Sequence, residues 1–210
     1  MKIKKFIVFI LTALLLVFHL YIDIKQPFVL KLEIRLLFVF VEILGLTILY
    51  LFQKNRVKDP HKLFQYLMIV LFMIYLENLI YLLLIDADFG RHFHGLDIEH
   101  IKINLVPFST IKMFMESYHH HYLSLSSIAT NLIGNIIAFA PFGLFLPILF
   151  KCERKFINFL ITMVIIIVGV EVLQVITNTG IGDIDDFILN IVGALFVYMI
   201  IRFTIRKKSL

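Results

Sequence analysis

The residues of this chain best suited to chemistry are carboxylates and carboxamides set inside or against long apolar runs. Glu171 and Gln174 stand at i, i+3 in one run, and Asn131 and Asn135 at i, i+4 at the start of another. Asp186 and Asn190 stand at i, i+4 at the start of a third, with Asp183 and Asp185 just upstream. On helices each pair shares a face. Such side chains are costly beside lipid, so where they occur they serve a site or join helices by hydrogen bonds. Three kinds of site are open to them. Glu171, Asp183 and Asp186 offer oxygen ligands to a divalent cation, which could grip a phosphate. Glu171, if buried, could act as a general acid or base. The whole set could instead bind a polar ligand without reaction. No GxSxG, HExxH, Walker-type or CxxC pattern is present. Cys152 is the single cysteine, which excludes an intramolecular disulfide.

The elements that must position these residues are membrane helices. Of 210 residues, 60% are hydrophobic, and the mean hydropathy is +0.95. The excess lies in six runs: Phe6–Ile22, Leu36–Phe52, Leu63–Ile85, Leu132–Phe150, Phe156–Ile176 and Phe187–Phe203. Each has about the 17–25 residues that a helix needs to cross a bilayer. In lipid the backbone must satisfy its own hydrogen bonds, so the expected fold is all-α. The first run lacks a small-x-small cleavage site and reads as an uncleaved anchor.

Charge sets the orientation. Lys2, Lys4 and Lys5 precede the first run, and Lys54, Arg56, Lys58 and Lys62 fill loop 53–62. Lys151, Arg154 and Lys155 fill loop 151–155, and Arg202, Arg206, Lys207 and Lys208 end the chain. These are alternate loops, so the positive-inside rule predicts six spans with both termini cytoplasmic. The surplus of 20 Lys+Arg over 15 Asp+Glu then reflects orientation and anionic lipid. No nucleic-acid signature accompanies it, and the expected partner is the bilayer.

This topology places Asn135, Glu171 and Asn190 roughly 6–8 Å below the outer ends of their helices. They are expected to form one buried polar layer. Asp183, Asp185, Asp186, Gln174 and Asn131 form a second layer above it, opening outward. Carboxylates so close raise one another's pKa unless cations relieve them, and Arg91, Lys102 and Lys112 stand on the outer segment. Pro141 and Gly143, with Pro147, predict a kink in the fourth span. Glu42 and Glu77–Asn78 are expected to pair with each other or with asparagines, and His19 to sit at the interface. His92, His94 and His119–His121 read as solvated loop. In the outer segment, Asn104–Phe108 is a turn before a short helix that Ser109 or Thr110 could cap. Phe108, Ile111, Met115 and Tyr118 recur at 3–4 spacing, so that helix could lie along the membrane surface.

Four stretches in order, NLVPFSTI (Asn104–Ile111), NLIGNIIAFAPFGLFLP (Asn131–Pro147), EVLQ (Glu171–Gln174) and DIDDFILNIVG (Asp183–Gly193), resemble the VanZ-like family. Where that family's pattern often carries an Arg shortly before the aspartates, this chain has Ile181 and Gly182. The resemblance points to Asn104, Pro107, Asn131, Asn135, Pro141, Glu171, Gln174, Asp183, Asp186 and Asn190. It implies a multi-pass protein of a Gram-positive-type envelope that modulates teicoplanin susceptibility, its outward pocket meeting a cell-wall or lipid-linked component. The alternatives are a membrane enzyme acting on a lipid-linked phosphate with a divalent cation, and an ion-coupled carrier. The expected division is a three-span region over 1–100 and a VanZ-like region over 101–210.

Overall fold

The computed structural model describes residues 2–25, 32–84 and 102–208. Seven helices account for most of them: α1 Lys2–Lys25, α2 Leu32–Gln53, α3 Pro60–Leu84, α4 Ser109–His119, α5 Leu125–Leu149, α6 Phe156–Ile176 and α7 Ile184–Lys208. Five of these, α2, α3, α5, α6 and α7, are long and apolar enough to cross a membrane. The first expected span falls on α1, whose described apolar stretch is Ile10–His19. The chain is an all-α, multi-pass membrane protein. By contact it groups into two compact units, Met1–Leu82 with Asp86–Gly90, and Leu83–Ile85 with Arg91–Leu210.

In the first unit, polar pairs join the helices. His19 Nδ1 lies 3.0 Å from Glu42 Oε1, both side chains buried, and links α1 to α2. Arg35 of α2 donates to Glu77 Oε1 and Asn78 Oδ1 of α3, each at 2.9 Å. Its guanidinium lies 3.6 Å from the centre of the Tyr81 ring. Glu77 thus pairs with an asparagine, accepting from the Asn78 amide at 2.7 Å, and each of the two acids also has a basic partner, as a charge removed from water requires.

The second unit is built on α5 and α7. Progress along α5 from Asn135 to Gly143 matches progress along α7 from Asp186 to Tyr198, so the two helices run in the same direction. Their backbones touch. A Cβ added at Gly193 would stand 1.9 Å from the Ile136 carbonyl oxygen, and one at Gly143 would stand 2.3 Å from that of Ala194. Small residues at such crossings let membrane helices approach closely enough for extensive van der Waals contact. Helix α5 continues through Pro141 and Pro147, and Gly143 lies at this contact. Helix α6 packs beside the pair, and Phe139, Phe159, Met163, Ile167, Ala194 and Tyr198 are fully enclosed. Phe159 stacks on Tyr198 at 4.1 Å, and the Tyr198 hydroxyl donates to the Arg154 carbonyl at 2.9 Å.

Gly193→Ala is expected to destabilise the protein by about 3 kcal/mol, the upper end for an overpacked contact, because a backbone carbonyl cannot step aside. Nothing lies within 4 Å of a Cβ built at Gly169, so Gly169→Ala should be neutral or stabilising through helix propensity. Thermal unfolding of the two purified variants in detergent checks the contrast.

Candidate functional site

At the N-terminal ends of α5 and α7 the second unit gathers its acids. A two-residue strand β1 (Ile103–Asn104) pairs in parallel with β2 (Gly182–Asp183), Asn104 opposite Asp183. This clip joins the segment before α4 to the segment before α7. Gly182 belongs to the clip and Ile181 to its approach.

Asp183 and Asp185 are consumed by hydrogen-bond donors. Asp183 accepts from the Asp185 N–H at 2.9 Å, an N-cap to α7. It also accepts from the Thr110 hydroxyl and, at 3.4 Å, from the Asn104 amide. Asp185, 1% exposed, accepts from three backbone N–H groups of another helix: Phe108, Thr110 at 2.9 Å and Ile111 at 3.2 Å. Helix α4 has no side-chain cap of its own. Ser109, expected as a cap, donates to the Val106 carbonyl, and Thr110 turns to Asp183. The cap comes from α7, because a buried carboxylate needs donors and a helix N-terminus has unused ones. Phe108 sits in the left-handed region, φ 64°, a strained setting for a non-glycine residue held by its bond to Asp185.

The other predicted residues divide. Asn104 is a hub: its carboxamide also donates to Ser109 Oγ at 2.7 Å and accepts from the Val106 N–H at 3.2 Å. Glu171 accepts from the Asp183 N–H at 3.4 Å, and the Asn135 amide donates to Asp186. Helix α5 starts at Leu125, ahead of its apolar run, capped by Ser124 through the Ser127 N–H at 3.1 Å. Asn190 is buried with its Oδ1 unpartnered. Gln174 turns away to donate to the Leu83 carbonyl at 3.1 Å. Asn131 is exposed and bonds only within α5, to the Ser127 carbonyl. Lys112 pairs with Glu116 on α4 at 3.7 Å, and Arg91, His92 and His94 lie outside the described residues. Among the described residues no three His, Cys, Asp or Glu side chains converge as a metal-holding group.

Beside the clip is a cleft of about 350 Å³, within the size range of small-ligand sites, roughly 300–1,000 Å³. Ile103, Leu105, Val168, Val172, Val175 and Phe187 supply its apolar wall, and Glu171 and Asp183 are its only ionisable lining residues. The roles of Asp185 and Thr110 escaped sequence reasoning; the only local trace was a Ser-Thr pair following a proline turn.

Fold and site together define a multi-pass helical membrane protein with a hydrogen-bonded acidic network over a greasy cleft at one end of its C-terminal bundle. The VanZ/LLP1 family model matches residues 66–205, about two thirds of the chain, and the chain belongs to that family. The match reaches upstream of the Asn104 stretch into α3. No curated protein and no solved structure matches the chain.

Hydrogen bonds to a charged group contribute about 1.5–3 kcal/mol each, net of exchange with water. Asp185→Ala is therefore expected to loosen the start of α4 while the spans persist. Amide hydrogen exchange should accelerate at Thr110 and Ile111 and stay slow within α5 and α7.

Proposed function

We propose that this protein works in the cell envelope, holding a lipid-linked or cell-wall component in the cleft beside Glu171 and Asp183 and thereby modulating glycopeptide, specifically teicoplanin, susceptibility. The observation that carries the reading is the cleft's composition. An apolar wall suits a hydrocarbon chain, and Glu171 at its edge suits a polar head that can donate a hydrogen bond. Membership of the VanZ/LLP1 family supports the envelope role. The basic alternate loops support an orientation with both termini cytoplasmic and the cleft on the extracellular side.

Expression in a teicoplanin-sensitive Gram-positive host is expected to raise the inhibitory concentration. Glu171→Gln should abolish the rise without lowering the amount of protein in the membrane. An unchanged inhibitory concentration with correctly inserted wild-type protein would overturn the proposal.

The orientation has its own test in Cys152, which is exposed and lies in the basic 151–155 loop. A membrane-impermeant maleimide should label it only after permeabilisation. In a Cys152→Ser background, Tyr122→Cys should react in intact cells.

A further inference from the structure

Helix α4 and its approach present an apolar surface that the acidic network does not use. Leu105, Val106, Phe108, Met115 and Tyr118 are each 45–72% exposed. Around α4, Thr110, Ile111, Phe114 and Ser117 are half-buried, so Ile111 belongs to the side that packs on the protein. Met115 and Tyr118 flank that side, and Lys112, Glu116 and His119 lie opposite, the first two joined as an ion pair.

Both ends of α4 are pinned. Its first turn is capped by Asp185, in the first turn of α7. Its last residue, His119, is separated from Leu125, where α5 begins, by a turn closed through the Tyr122 N–H to the Ser117 carbonyl at 2.9 Å. Helices α5 and α7 are both long enough to span a bilayer. A helix of 11 residues, about 16 Å long, is therefore held across the entry points of two spans. The exposed apolar surface continues onto α5 through Leu125, Ile133 and Ile137, which face the surroundings of the spans.

We infer that α4 is an interfacial anchor whose Met115–Tyr118 flank, with Leu105, Val106 and Phe108, docks on the bilayer at the acyl–headgroup boundary, Lys112 and Glu116 facing water. The proposal is independent of what the cleft holds. Continuity with the spans' outer surface favours lipid over a second copy or another protein, and apolar and charged flanks so divided are those of a helix lying in the interface. Through Asp185 and the Thr110–Asp183 bond, the depth of α4 then fixes the clip that borders the cleft.

The chain contains no tryptophan, so a single introduced one reports alone. Met115→Trp and Glu116→Trp are made separately in the full-length protein and reconstituted in phosphatidylcholine nanodiscs. Lipids spin-labelled near the top of the acyl chain are expected to quench Met115→Trp roughly twofold or more over Glu116→Trp, with aqueous iodide showing the reverse order. Tyr118→Trp, on the same flank, should repeat the Met115→Trp result and serves if that variant does not insert. Equal iodide quenching on both sides overturns the proposal. So does a Met115→Trp and Tyr118→Trp flank shielded from iodide and spin-labelled lipid alike, which would mean a protein surface covers it.

Discussion

The second unit depends on one contact, the touching backbones of α5 and α7. Between membrane helices water provides no drive to associate, so close packing must supply the stability. Gly193 and Gly143 permit an approach that any Cβ would prevent. Because the two helices run in the same direction, their N-termini end on the same face of the bundle. Asp183, Asp185 and Asp186 stand at that face, and Glu171 reaches it from the C-terminal end of α6. Asn135 meets Asp186 only because α5 and α7 are adjacent, and Asp185 meets α4 only because α4 leads into α5.

The acids are not neutralised in the manner their sequence suggests. Three aspartates within four residues invite a metal ion or a basic partner. Asp183 and Asp185 instead draw on donors that the backbone already leaves over: the first N–H groups of α4 and of α7, with the Thr110 hydroxyl and the Asn104 amide. Such donors are fixed in place and need no counter-ion. The first unit solves the same problem differently, through the His19–Glu42 and Arg35–Glu77 pairs. Both solutions follow from the cost of taking a charge out of water unaccompanied.

What the sequence made legible was whatever is local or periodic. The run Phe156–Ile176 and helix α6 share the same ends, because Lys155 and the Thr177–Asn178 turn bracket an uninterrupted apolar segment. Helix α5 begins earlier than its apolar run because Ser124–Thr130 is polar yet well capped, and hydropathy counts only grease. The clip between Ile103–Asn104 and Gly182–Asp183 spans two residues on each side, too few for any periodicity. The partner of Asp185 lies on another helix, and no spacing rule encodes it. Gln174 shared a face with Glu171 as predicted, yet bonds elsewhere, since position on a helix does not decide which neighbour a flexible amide reaches.

The cap of α4 also has a history within each molecule. Asp185 lies 75 residues after Thr110, so α4 emerges from the ribosome long before the group that completes it. At about 5–20 residues per second, the interval is roughly 4–15 s. Throughout it, the first turn of α4 carries open N–H donors, and Phe108 lacks the bond that holds its strained backbone. Only insertion of the last span delivers the missing carboxylate, so the cleft's border is assembled at the end of biogenesis. A chain truncated before α7 would therefore carry every span up to α6 and still present an unfinished α4 to the cell's quality-control machinery.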